Sequence, residues 1–299
     1  MKNLGRTIIL SLSLLISSTC LAQGGEQVDS AVTKVSINRS KKSAVKKTDE
    51  ATEGSFGGSF SLMKNNSLYD RKDGTFVDNL GYELNLAYKL PTGVMLANIS
   101  YSQNLRSSYE GDSDFNDPFL AYAHKPIQIS ELDTMNVKLG PSLTVLFPLS
   151  KKSVKYDEMQ GAFVAGLSLG FSPKEKDGSG FSAALSLTAG RNFHRYEQDV
   201  NGKVLAQYSS NQGITLGYKI QSFSFSVLFN HKSRWTYQNA VREGFELTEA
   251  INYDINKNFA FSIGHTNAGV ALKANGQDSN FAVVDEDNSV VFAAIGIAF

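Results

Sequence analysis

Cysteine is all but missing from this chain. The one residue of its type among 299, Cys20, lies in an N-terminal stretch that reads as cleaved, so no disulfide can staple what remains, even in an oxidising compartment. An excess of charge is missing too. The 29 basic and 29 acidic residues give a net charge of zero, which excludes the basic footprint a nucleic-acid partner needs. Beyond the N-terminal stretch there is no run of about 18 apolar residues, so no membrane-spanning helix is expected. A P-loop, a zinc-type Cys/His spacing and a dinucleotide fingerprint are all lacking, and no cofactor is expected. The core must come from apolar burial or from lipid.

What is present begins with "MKNLGRTIILSLSLLISSTCLAQ", where a basic start, an apolar stretch and small residues at Cys20 and Ala22 read as a signal peptide over residues 1–22. Ser17 and Thr19 stand where lipidation at Cys20 would need a Leu-like and a small residue. Residues 23–54 are polar, with Lys34, Arg39, Lys41, Lys42, Lys46 and Lys47 and little periodicity. They are expected to form a flexible periplasmic segment, a linker in one reading and a plug of the lumen in the other.

From residue 55 to residue 299 the pattern changes to period two. Leu80, Tyr82, Leu84, Leu86 and Tyr88 share one face, opposite Glu83, Asn85 and Lys89. The same alternation recurs through Phe163 to Phe171, Ile214 to Ile220, Phe223 to Phe229 and on to Val291, Ala293, Ile295, Ile297 and Phe299. "DPFLAYAHKPIQI" is strand-like with ambiguous faces. The spacing predicts about twelve strands, each near the length a tilted strand needs to cross a bilayer. Short connections at 91–93, 174–180, 221–222 and 256–258 alternate with longer ones near 64–77, 105–117, 149–160, 196–207, 237–244 and 268–288. Sorting of loops by parity, an even strand count and both ends on one side are the marks of a transmembrane, antiparallel, up-and-down β-barrel with short periplasmic turns and long extracellular loops. Tyr88, Phe171, Tyr218 and Tyr253 beside the short turns, and Tyr101, Tyr208, Trp235 and Tyr237 toward the long loops, make two aromatic girdles.

With a final strand "AAIGIAF" ending on Phe299, the chain resembles bacterial outer-membrane β-barrel proteins over residues 55–299. That resemblance implies residence in the outer membrane, contact with its lipid and lipopolysaccharide, and a barrel-assembly machinery that reads the C-terminal strand. "DFNDPFLAYAHKPI" followed by "VKLGPSLTVLFPLS" resembles the meta-pathway phenol-degradation-like barrels, which implies an outer-membrane transport role.

The face opposite the apolar one carries Glu83, Asn85, Lys89, Lys138, Thr144, Thr188, Lys219, Asn230, Asn252 and Asp254, a lumen lining of neutral groups and charges of both signs. It suits a passive channel for small solutes without a single-sign ring. The alternative is a non-conducting structural or adhesive barrel, which bulky apolar side chains inside the lumen at mid-height would favour.

On the apolar face, His231, Glu249 and His265 continue the lipid-facing parity, and a turn centred on Lys257 sets Glu249 opposite His265. A carboxylate facing lipid is costly unless paired, so the pair suits a proton-sharing contact between copies of the chain or a place near the outer headgroups. His231 also begins "HKS", with Ser233 two residues on. This is similar to outer-membrane phospholipase A and the lipid A deacylases. The likeness implies Ser233 as nucleophile, His231 as base and Glu249 or Glu246 as orienter, although Arg234 and Trp235 depart from their pattern. His124 and His194 have no evident partner in sequence. Asp112, Asp114 and Asn116 have the spacing that opens a calcium loop, but Asp117 and Ala123 stand where its Gly and bidentate Glu belong. With Asp285, Glu286 and Asp287 they read as acidic loops able to share divalent cations with lipopolysaccharide.

Overall fold

The computed structural model describes residues 54–69, 77–105, 113–131, 135–173, 179–272, 278–286 and 288–299. The expected signal peptide, and all of the polar segment but Gly54, lie outside the described residues.

A polypeptide crossing hydrocarbon must satisfy every backbone N–H and C=O internally, and a closed sheet does so with no free edge. Fourteen strand segments build that sheet: β1 (Phe56–Ser67), β2 (Asp78–Leu90), β3 (Gly93–Asn104), β4 (Asp114–Phe115), β5 (Phe119–His124), β6 (Ile127–Glu131), β7 (Met135–Leu146), β8 (Met159–Pro173), β9 (Gly180–His194), β10 (Ala206–Ile220), β11 (Phe223–Thr236), β12 (Val241–Asp254), β13 (Phe259–Val270) and β14 (Val290–Ala298). All pairings are antiparallel; β4 and β5 both pair with β3, β5 and β6 both pair with β7, the other segments pair in chain order, and β14 returns to β1 in a register from Ser59 opposite Ala298 to Ser67 opposite Val290. β4, β5 and β6 are pieces of one barrel strand, so the result is a closed barrel of twelve antiparallel strands. The breaks fall at Pro118 and Pro126, which have no N–H for the ladder. They also settle the ambiguous faces: Phe119, Ala121 and Ala123 point inward, and Leu120 points out.

The last residue completes the ring. Phe299 N donates to Gly58 O at 3.0 Å and Gly58 N donates to Phe299 O at 2.9 Å. A Cβ at position 58 would lie 2.9 Å from the Asn85 carbonyl oxygen, a backbone atom, and 2.6 Å from the Phe299 ring that packs over the glycine. Outward residues such as Leu62, Leu143, Phe163, Leu187, Ile214, Phe225, Ile263 and Ile295 leave a belt of exposed apolar side chains around the wall, as a bilayer requires.

Connections follow the expected parity with one exception. The β11–β12 link, read as long, is a four-residue turn over 237–240, closed by Thr236 N donating to Ala240 O and turned at Asn239, whose φ is 62°. Asn tolerates that left-handed backbone, so the strands extend further than their hydrophobic pattern does. The β13–β14 connection behaves differently again, because part of it lies against the outside of the wall. Phe281 sits edge-on to Phe229 and Phe245, at ring centroid distances of 5.4 and 5.2 Å, and Asn267 Nδ2 donates to Ala282 O at 2.6 Å. Outward Phe245, Leu247 and Asn267 are thereby buried, and Val283 and Val284 present a replacement apolar surface.

Inside the barrel, Phe292 of β14 lies over Gly264 of β13, its direct partner in the ladder. A Cβ at position 264 would fall 2.2 Å from the Phe292 ring and 2.3 Å from the Glu249 carbonyl oxygen, and that backbone atom cannot move aside. Gly264→Ala is expected to destabilise the folded barrel by about 1–3 kcal/mol, read as a lower urea midpoint in lipid vesicles.

Candidate functional site: the lumen and its mouth

Inward side chains pair across the strands that carry them. Lys219 Nζ meets Asp254 at 3.0 Å near the periplasmic end. Asn98 Nδ2 donates to Glu83 at 2.7 Å and to Asn85 at 2.8 Å. Ser262 Oγ donates to Asn252 at 2.6 Å, Asn211 Nδ2 donates to Thr188 at 3.2 Å, and the Thr248 and Thr266 hydroxyls meet at 3.2 Å. Higher up, Lys232 Nζ donates to Glu246, a carboxylate only 1% exposed. These are the short-range cross-strand pairs that an inward polar row makes when the sheet closes on itself. Glu83, Asn85, Lys89, Lys138, Thr144, Thr188, Lys219, Asn230, Asn252 and Asp254 lie in the ladder on the parity opposite the exposed apolar residues of their strands.

Part of the inner wall is apolar. Leu96, Phe119, Ala121, Ala123, Leu146, Met159, Ala162 and Val164 form one buried cluster on β3, β5, β7 and β8. Met63, Ala250, Phe292 and Ala294 form another beside the β1–β14 seam. The same period-two count that selected the polar lining also contains these residues; their apolar character left them out of the lining.

The extracellular mouth is organised by Asp117, which is buried. Its Oδ1 accepts from Leu149 N and Ser150 N, both at 2.8 Å, and its Oδ2 accepts from Ser153 Oγ. A negative side chain thus anchors one widened helical turn over Lys152–Tyr156 against the wall. Val200 N then donates to Tyr156 O, Arg195 N to Glu158 O and Tyr237 N to Leu205 O, which ties three extracellular connections together. Of the calcium-spaced acids, Asp112 lies outside the described residues, Asp114 accepts from Phe115 N and Lys151 N, and Asn116 Nδ2 donates to Ser100 Oγ at 3.1 Å. Among the described residues no group of three or more His, Cys, Asp or Glu is placed to hold a metal ion.

On the lipid face, Glu249 stands directly opposite His265, with Oε2 3.9 Å from Nδ1. His231 is engaged elsewhere, its Nδ1 lying 2.7 Å from Gln212 Oε1, and its partner in the ladder is Phe245. Ser233 is buried beside it on the same strand face. Glu249 is therefore not brought to His231, and Glu246, weighed as an orienter, points the other way into the lumen, because residues 246 and 249 differ in parity. His194 Nδ1 meets the Tyr237 hydroxyl at 3.2 Å, and His124 Nδ1 lies 2.7 Å from Lys125 O.

No family model matches the sequence, and no curated protein matches it. Solved structures match by fold. An outer membrane channel from Pseudomonas putida F1 has a TM-score of 0.54 at 13% identity, covering 83% of this chain and 96% of its own. The NanC porin matches with a TM-score of 0.49 at 13% identity, covering 81% and 98%. With the apolar belt, the girdles and the closed twelve-strand sheet already in place, the residence follows: this is a β-barrel of the bacterial outer membrane.

Two expectations follow. The Glu249 side chain is 44% exposed on a face meant for lipid, so Glu249→Leu is expected to stabilise the barrel by about 1–2 kcal/mol in vesicle unfolding titrations. In the mouth, burial raises the Asp157 carboxyl above its ordinary range, with Asp199 and Asp117 pushing the same way and Lys152 and Lys203 opposing. A raised acid binds more protons folded than unfolded, so its contribution to loop docking falls as pH rises from the ordinary carboxylate range, near about 4, through the raised value. Asp157→Asn is expected to remove that loss, seen as slower amide exchange over residues 195–205 at neutral pH and no difference from the parent in acid.

Proposed function

We propose that the barrel is a passive channel for small solutes, of the kind implied by the likeness to meta-pathway phenol-degradation-like barrels. The observation that carries this reading is the inner wall of β9 to β12. There, small and polar residues follow one another from Ser182, Ser186, Gly213, Gly217, Ser224 and Ser226 in the periplasmic half to Asn230, Lys232 and Arg234 toward the mouth. On this inward row Leu228, opposite Thr248, stands between Ser226 and Asn230, but a barrel sealed by its own core has no need of so many polar positions, whereas a path for hydrated solutes does. In this reading the assembly machinery recognises the strand that ends at Phe299, and the Glu249–His265 pair is a contact between copies of the chain.

A second reading, a non-conducting barrel, is favoured by the inward Met63, Leu96, Phe119, Leu146 and Phe292, which narrow the lumen from two sides. Planar-bilayer recording of the refolded protein from residue 23, with and without residues 23–53, separates the two. The channel predicts discrete conductance steps, and larger steps after truncation would make the N-terminal segment a plug. Electrical silence in both forms would leave the non-conducting barrel.

A further inference from the structure

We infer that the outer wall carries a binding site for the phosphate of an outer-leaflet lipid, centred on the Arg191 guanidinium between the rings of Phe193 and Tyr208. The inference concerns the lipid-facing surface and is independent of whether the lumen conducts.

Arg191 is exposed and has the outward parity of β9, which it shares with Phe181, Leu185, Leu187 and Phe193. The register sets it opposite Tyr208 on β10 and Phe163 on β8, and Tyr208 lies opposite Trp235 on β11. A full positive charge is thus fixed within the outer aromatic girdle, at the level where hydrocarbon gives way to headgroups. Its guanidinium carbon lies 5.2 Å from the centre of the Phe193 ring and 5.6 Å from that of Tyr208. The rings attract the charge and hold the group in place, but they supply none of the oxygen acceptors that its five N–H donors match.

The wall supplies no such acceptor of its own. β8, β9, β10 and β11 contain no Asp or Glu at any position. Glu243, the outward carboxylate of β12 opposite Ser233, stands three strands from Arg191, about 14 Å across the sheet. Among the described residues Arg191 has no ion pair. The loops above carry Asp157, Glu158, Glu197 and Asp199 against Lys152, Arg195 and Lys203, with Glu158 and Arg195 meeting at 3.7 Å. Attraction therefore rests on the short-range fork of Arg191 and not on a field of one sign. A guanidinium matches two phosphate oxygens at once.

The neighbouring outward groups add donors. One outward position below Tyr208, Ser210 Oγ accepts from Gln212 Nε2 at 2.6 Å, and Gln212 Oε1 lies 2.7 Å from His231 Nδ1. An amide oxygen only accepts, so His231 donates, the chain runs toward Ser210, and the Ser210 hydroxyl keeps its proton for another acceptor. Donors at this depth suit the phosphate, ester and amide oxygens at the headgroup end of a lipid. Beneath them Leu185, Leu187, Ile214 and Leu216 form an exposed apolar wall for its acyl chains, which a free anion would not need.

The test is native mass spectrometry of the refolded barrel in a non-ionic detergent, titrated with bisphosphorylated lipid A and with the same lipid dephosphorylated. The wild type should bind the phosphorylated form about tenfold more tightly. Arg191→Gln should bring that ratio to about two or less, and Arg191→Lys, which keeps the charge and the stem without the fork, should fall between. Arg195→Gln should keep the wild-type ratio. A wild-type ratio near one, or Arg191 variants that keep the wild-type ratio, would overturn the site, as would a loss confined to Arg195→Gln. Inorganic phosphate is the second probe and should leave the thermal midpoint in the same detergent unchanged. A rise as large as that produced by the phosphorylated lipid would overturn the lipid assignment in favour of a soluble anion.

Discussion

Everything in this molecule depends on the hydrogen-bond ladder having no free edge. In hydrocarbon an unsatisfied backbone group costs several kcal/mol, so the sheet must close and its last strand must find its first. Here closure runs to the terminal residue, where the Phe299 backbone exchanges both hydrogen bonds with Gly58 and its ring covers the glycine. Once the ring is closed, strand residues divide into two populations that cannot exchange faces. A slip of one residue would send Glu246 and Lys232 into lipid and Phe245 and Ile251 into the lumen.

That constraint also orders the polar chemistry. Charges on the inner wall find partners close by, Lys219 reaching across β11 to Asp254 and Lys232 meeting Glu246 on the neighbouring strand, and such pairs tolerate burial because each charge is hydrogen-bonded. On the outer wall the same register sets Glu249 opposite His265. Nearby, the protein deals with outward polarity by another device, in which its own 278–286 segment lies over Asn267 and turns Val283 and Val284 outward in its place. The mouth uses a third device. Asp117 collects backbone donors from a loop more than thirty residues away and so gathers the loops over the opening.

The barrel itself was legible in the residues because lipid on one side and a lumen on the other impose a strict period of two, and because loop length sorts by side. The lumen list from Glu83 to Asp254 came from that same count, as did the pairing of Glu249 with His265. The count was least helpful where local chemistry broke it. Pro118 and Pro126 cut one strand into three, and Asn239 allowed a tight turn where a longer loop was expected. Parity also shows that Glu246 cannot share a face with His231 and Ser233, a conflict that a motif spaced along the chain conceals.

What the sequence determined alone was therefore the architecture, the membrane it serves and the face that residues of the regularly alternating strands take, since alternation with lipid is a local and repetitive requirement. What only the tertiary structure decided was which inward residues become neighbours. The opposition of Arg234 and Arg242, the apolar clusters on either side of the polar stripe, the loop tied down by Asp117 and the segment folded over the outer wall all depend on register and on contacts between distant parts of the chain. Those follow from the closing of the whole ring and from no single strand within it.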